Sequence, residues 1–124
     1  MATKIASRKA RGRNLQKDVV LALREKFKMD FYLGDDCYNG DITARVLGAT
    51  GTDVCLSPSA KEKILFNTEC KAQQNLNIWS ALKQAEANTS EGRIPLLCFR
   101  RNHTGIYACL KLSDLLKVIK DEAV

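Results

Sequence analysis

Asp53, Glu69 and Lys71 are the residues of this chain whose types and spacing suit chemistry on a phosphate ester. Asp53 lies at the start of the strand in a short strand-like run, Gly51-Thr52-Asp53-Val54-Cys55-Leu56. Glu69 and Lys71 close a second, Phe66-Asn67-Thr68-Glu69-Cys70-Lys71, with apolar positions at Val54, Leu56 and Phe66. Pro58 stops the first run, and residues 57–63 read as a connection. Strands joined in this way are expected to pair antiparallel, which brings Asp53 to the Glu69 end of its neighbour. Side chains alternate along a strand, so Glu69 and Lys71 share a face while Cys70 points the other way. Two carboxylates offer hard oxygen ligands to one or two Mg²⁺ ions, with Mn²⁺ as a substitute, and the backbone carbonyl of Cys70 is a candidate further ligand. Such an ion activates water and screens phosphate charge. Lys71 is placed to orient or deprotonate the attacking water, or to stabilise charge on the phosphate. A Glu-x-Lys triplet alone is common at strand ends; the preceding run with its Asp53 makes the pattern informative.

These residues need a frame. Residues 42–47 read as a first strand, and Gly48-Ala49-Thr50-Gly51 as a flexible turn into Asp53. That turn serves equally as a plain hairpin or as a loop whose backbone can approach a phosphate. It lacks the Lys-Ser/Thr of a P-loop, which disfavours nucleotide hydrolysis. Asn14 is the expected cap of a first helix, in which Leu15, Val19, Ala22, Leu23 and Phe27 recur at helical spacing. Asn77 caps a second helix running to about residue 88, with Ile78, Ala81, Leu82 and Ala85 as its apolar stripe and Trp79 beside it as a packing residue. The nearly continuous apolar run at 94–99 reads as a central strand, 106–110 as a further strand, and Ser113 as the cap of a closing helix. The order helix, three strands, helix, strand, strand, helix predicts an α/β sandwich, helices over a mixed sheet. Arg100 and Arg101 follow the central strand. Adjacent arginines face opposite sides, so one of them is expected to meet an anionic substrate.

A chain of 124 residues fits one domain with one core. Its 45% hydrophobic and 27% charged content excludes the disordered and membrane-spanning classes. No apolar run is long enough to cross a bilayer, and no apolar stretch follows the basic N-terminus as in a secretory signal, so no membrane partner and a cytoplasmic setting are expected. The net charge of +6 favours a polyanionic partner, most simply nucleic acid. Residues 1–13 hold Lys4, Arg8, Lys9, Arg11 and Arg13 without an acid. They read as a flexible basic arm ahead of a single domain at 14–124, either a solvated terminus or an arm that orders on phosphates. The five cysteines contain no C-x-x-C and read as reduced small hydrophobes. His103 reads as a solvated turn residue, and Asp35, Asp36 and Asp41, which lack EF-hand spacing, as solvated loop acids.

Asp53 with Glu69-Cys70-Lys71 resembles the D…(D/E)-x-K signature of the PD-(D/E)XK nuclease superfamily, and most of all the small phage-encoded nucleases similar to archaeal-type Holliday junction resolvases. Supporting stretches are Gly12-Arg13-Asn14-Leu15-Gln16, Gly48-Ala49-Thr50-Gly51-Thr52-Asp53, Glu69-Cys70-Lys71-Ala72-Gln73, Leu76-Asn77-Ile78-Trp79, Gln84-Ala85-Glu86 and the run from Pro95 to Asn102, together most of the chain. The resemblance implies a restriction-endonuclease-like αβββαβ core and Mg²⁺-dependent hydrolysis of phosphodiester bonds in four-way or other branched DNA. It implies a homodimer, because two symmetric strands must be cut, and a host-cytoplasm setting if the chain is phage-encoded. It adds Gln84 to the catalytic set of Asp53, Glu69 and Lys71. It adds Arg45, Thr50, Thr52 and Gln73 to the DNA contacts expected of Arg8, Lys9, Arg11, Arg13, Arg100 and Arg101. One position departs from the pattern: Gln16 stands where similar resolvases carry a metal-coordinating glutamate, and a neutral amide cannot replace its charge. Two other readings stay open, a different structure-specific or nicking nuclease of the same superfamily and a non-catalytic basic DNA-binding module.

Overall fold

The computed structural model describes residues 2–46 and 51–119, with side chains from residue 8 onward. Its first element is a helix, α1 (Ala2–Phe27), that starts twelve residues before Asn14. The basic N-terminal residues are therefore the first turns of α1 rather than a separate arm, and Asn14 is an exposed interior residue and caps nothing. The physical reason is local: residues 2–11 are mostly Ala, Lys and Arg, good helix formers with no proline, so nothing stops the helix from extending backward. Leu15, Val19 and Val20 bury one face of α1, and Lys28, in the left-handed region at φ 56°, ends it.

The segment after α1 is held by a polar hub that the sequence pattern did not announce. Arg24 is only 3% exposed. Its guanidinium donates to the carbonyls of Ile42 (3.0 and 2.8 Å), Asp36 (2.8 Å) and Asn39 (2.8 Å). Asp30, equally buried, lies 3.5 Å from Arg24 and accepts from the backbone N–H groups of Asp41 and Ile42. One cation and one anion thus satisfy the backbone of a loop that has little secondary structure of its own.

β1 (Ile42–Ala44) pairs antiparallel with β2 (Val54–Leu56). Residues 57–63, expected as a plain connection, include a short helix, α2 (Pro58–Lys63): Ser57 caps it by accepting from the Ala60 N–H at 3.2 Å, and Pro58 sits at its first position, where no N–H is needed. β3 (Phe66–Lys71) then pairs not with β2, as expected, but in parallel with β4 (Ile94–Phe99), which pairs antiparallel with β5 (Tyr107–Cys109). The correction has a clear cause. Asp53 gives its carbonyl to the Arg45 N–H on the β1 side (2.9 Å) and its own N–H to the Thr68 carbonyl on the β3 side (3.2 Å). A residue split between two strands in this way joins them at one point but breaks a continuous ladder.

α3 (Ile78–Ala87) begins at the predicted cap: the Asn77 side chain accepts from the Ser80 N–H at 3.1 Å. The closing helix, α4 (Leu112–Val118), is capped by Lys111, so Ser113 lies inside its first turn instead. The molecule is α/β, a small mixed sheet of β3, β4 and β5 flanked by helices. The main core joins α1 to one sheet face through Leu15, Val19, Val20, Leu96, Cys98 and Cys70. On the other face Leu97 is fully buried, as are Ala81 and Ala85 of α3. Cys37, in the polar loop, is buried in the main core, and all five cysteines are free thiols. Trp79 departs from its expected packing role: it is 79% exposed.

Candidate metal and nucleic-acid site

Alternation along β3 decides where its polar groups point. The carbonyls of Leu65 and Lys71 accept from β4-side N–H groups, those of Ile94 and Arg100. Thr68 and Cys70, of opposite parity, therefore direct their backbone groups to the edge where Asp53 stands. The Cys70 N–H donates to Asp53 Oδ2 at 2.7 Å, and the Thr68 carbonyl accepts from the Asp53 N–H. By the same parity the Cys70 carbonyl lies along that edge. The Cys70 side chain goes to the α1 face, where burial, and the charges of Cys98, Asp53 and Glu69, push its thiol well above its usual pKa, so it is an inert packing group.

Glu69 points to the opposite face and is 4% exposed. Burial pushes its pKa up to about 7, and the charge of Asp53 and a side-chain hydrogen bond shared with Asp53 push in the same direction. Lys71, on the same face, opposes the rise through its charge, as does the Asn88 amide, which donates to Glu69 Oε2 at a long 3.5 Å. The two carboxyl groups and the ammonium anticipated from their spacing therefore act on one another in the folded chain. A buried carboxyl whose proton is favoured by a neighbouring carboxylate marks a site that a cation could occupy in place of that proton. Among the described residues there is no cluster of three or more His, Cys, Asp or Glu side chains able to hold a metal, and Gln16 is a half-buried residue of α1. The donor set of Asp53, Glu69 and the Cys70 carbonyl fits an ion that keeps several waters, as Mg²⁺ does.

The raised Glu69 pKa makes a prediction for the metal-free protein. A carboxyl whose folded pKa lies above its unfolded value adds stability that is complete below pH 4.5 and is lost as pH rises through about 7. Glu69→Gln keeps a neutral hydrogen-bonding group at the position at every pH. Relative to it, the wild-type chain should lose about 3 kcal/mol between pH 4.5 and 8. Denaturant melts of the two proteins across that range check this; parallel curves would remove Glu69 from the buried pair.

The other expected site residues divide. Gln84 is an exposed residue of α3, and the amide on that helix that reaches Glu69 belongs to Asn88, one turn later. The signal for Asn88 was available: it lies at i+4 from Gln84 and so on the same helix face. Arg45 is turned inward. Its Nε donates to the Thr52 carbonyl, and its guanidinium packs against Gly51, whose φ of 106° admits no ordinary side chain. The Thr52 hydroxyl is also taken, donating to the Val54 carbonyl at 2.9 Å. Arg45 and Thr52 thus brace the loop that carries Asp53 rather than extending to a substrate, while Thr50 lies outside the described residues. Gln73 is exposed beyond β3.

The basic residues fall on two faces of α1. Arg8 and Arg11, at seven and four residues before Leu15, lie on the helix face of Leu15, Arg8 exposed and Arg11 half-buried; Lys9 and Arg13 lie on another, exposed face. Arg100 is tied to α1 by an ion pair with Asp18 at 2.8 Å, a link that spacing could not reveal across 82 positions. Arg101 is exposed, its Nε donating to the Gln74 carbonyl at 2.9 Å.

No helix among the described residues is long and apolar enough to cross a membrane. Comparison of the chain with protein families, with curated proteins and with solved structures finds no match.

Proposed function

We propose that this chain is a Mg²⁺-dependent DNA endonuclease of the PD-(D/E)XK type, with a restriction-endonuclease-like core, acting on four-way or other branched DNA. The observation that supports it most is the carboxyl pair: Asp53, at the entry to β2 and bonded to the Cys70 N–H, acts on the buried Glu69 of β3, as does Lys71. In this reading Asp53, Glu69 and the Cys70 carbonyl hold the ion, with Mn²⁺ able to replace it. When bound, it supplies charge neutralisation at the scissile phosphate and a more acidic water. Asp53, anchored by the Cys70 N–H, sets the position of the pair. Lys71 orients water or meets charge growing on the phosphate, and Asn88 holds the Glu69 carboxylate. The basic residues of α1 and Arg100 and Arg101 give sequence-independent phosphate contacts.

A homodimer belongs to the same proposal, since a four-way junction needs two cuts. An apolar face supports it. Trp79 on α3, Tyr107 on the edge strand β5, Leu112 and Leu116 on α4, and Ile119 are all more than half exposed, and α4 has no buried residue. Between α3, β5 and α4 runs a groove of about 630 Å³. The groove's charges balance, Lys83 and Lys111 against Glu86 and Asp114, which suits a two-fold copy better than a polyanion. Leu116→Glu should convert a dimer to a monomer in sedimentation; a variant still dimeric would place the contact elsewhere.

The test of function is cleavage of four-way junction, flap, nicked and linear DNA of one sequence, with Mg²⁺, Mn²⁺, Ca²⁺ or EDTA. The junction should be cut fastest, with Mg²⁺ or Mn²⁺ only, and Ca²⁺ should support binding with little turnover. Preference for flap or nicked DNA would reassign the substrate within the superfamily; binding without cleavage under any ion would leave a non-catalytic module.

A further inference from the structure

Where α1 crosses the C-terminal ends of the parallel strands β3 and β4, a cleft of about 160 Å³ opens between Arg11, Asn14, Arg100, Arg101, Asn102 and His103. Three arginines line it and, among the described residues, no acid does. Asp18 holds one nitrogen of Arg100 at 2.8 Å and neutralises one charge of the three. Among the described residues each strand-end arginine is tethered by a single nitrogen, Arg100 by Asp18 and Arg101 by the Gln74 carbonyl, and the rest of each fork donates to none of them. The loop that presents them is braced too. The Arg100 N–H donates to the Lys71 carbonyl (3.1 Å), the Thr104 N–H to the Arg101 carbonyl (3.3 Å), and the Arg101 N–H to the Thr104 hydroxyl (3.1 Å). His103 holds a left-handed φ of 64° inside this turn. Pre-positioned donors lose little freedom on binding, and paired guanidinium forks match the oxygens of a phosphate. The strand ends of a parallel sheet are also where such folds bind ligands.

We propose that this cleft binds a phosphate group, and that in the nuclease it holds a backbone phosphate of the nucleic acid other than the scissile one. The second half rests on the function proposed above; the first half does not. Ala72, which lines the cleft, packs on the α1 face of the sheet, whereas Glu69 points to the α3 face. The cleft is therefore separate from the carboxyl pair, three residues on and about 10 Å away along the strand. A nucleic acid seated on both must wrap the end of the sheet, as a bent or branched one can.

Pyrophosphate titration followed by NMR tests the site itself. Saturable shifts at Arg100, Arg101 and Asn102 are expected, with affinity at least tenfold weaker in Arg101→Gln and in Arg11→Gln, and unchanged in Asp53→Asn. The Arg11→Gln variant, outside the strand-end loop, guards against a loop that simply unravels. Absent or scattered shifts would overturn the site. In parallel, DNA binding by Arg101→Gln should weaken five- to tenfold and lose about one unit of salt slope. Pyrophosphate binding with unchanged DNA affinity would overturn the nucleic-acid half. A wild-type chain that binds pyrophosphate but no DNA would instead fail the proposed function and leave the phosphate site standing.

Discussion

Asp53→Asn is expected to reduce Mg²⁺-dependent DNA cleavage about a thousandfold or more while DNA binding stays within a few-fold of wild type. The asymmetry follows from what Asp53 touches. Its Oδ2 accepts from the Cys70 N–H at 2.7 Å, and an amide oxygen at position 53 can accept the same bond, so the junction of β2 with β3 survives. What disappears is one of the two anionic ligands proposed for the ion, and an ion that stabilises developing charge contributes several kcal/mol, each 1.36 kcal/mol being a factor of ten in rate. The substitution also removes the neighbouring charge that helps raise the Glu69 pKa, which should fall from about 7 toward the ordinary carboxyl range. Carboxyl-carbon NMR of Glu69 follows that shift directly, and it separates loss of the pair from loss of the fold. Wild-type cleavage rates in this variant would mean that the pair is not where hydrolysis happens.

The largest effect on stability is expected at Arg24, far from any chemistry. Arg24→Met leaves the apolar length of the side chain but abandons the carbonyls of Asp36, Asn39 and Ile42 and strands Asp30 as a buried, unpaired carboxylate. Removing one partner of a buried pair costs about 3–5 kcal/mol, which for a domain of this size lowers the melting temperature by roughly 10–20 °C. Adding Asp30→Asn should restore part of the loss, because the stranded charge is gone while an acceptor remains for the N–H groups of Asp41 and Ile42. A loss under 1 kcal/mol in Arg24→Met would show that the hub is wet and its bonds exchange freely with water.

The contrast between those two sites explains what could be read from the sequence. That Glu69 and Lys71 share a face was legible because strand parity is local, whereas Asp53 reaches Glu69 through a single backbone link rather than the antiparallel ladder its spacing suggests. The central strand at 94–99 was legible because a strand buried on both faces needs a continuous apolar run. The Asn77 cap was legible because it needs a short polar side chain at one defined position. Arg24 was not, since a buried guanidinium on a helix looks in sequence like any surface arginine, and its partners are carbonyls of a loop 12 to 18 residues away. The pairing of β3 with β4 instead of β2 was hidden for a related reason. Proximity in sequence favours a hairpin, and only the split hydrogen bonding of Asp53 shows why the ladder breaks there. Arg45 and Thr52 were assigned outward by resemblance, yet the tight loop at Gly51 leaves carbonyls that they satisfy. Gln84 gave way to Asn88 because the sequence indicates a helix face but not how far along it a side chain must sit to reach Glu69.

The most direct measurement of the central claim is calorimetric titration of the metal-free protein with Mn²⁺ at pH 7, alone and as Glu69→Gln. The wild-type chain should bind the ion and release protons as it does so, because burial and Asp53 raise the Glu69 pKa to about 7 and ion binding displaces what proton it holds. The variant should bind at least tenfold more weakly and release none from this position. Equal affinity and equal proton release in the two proteins would contradict a divalent-cation site at Asp53 and Glu69.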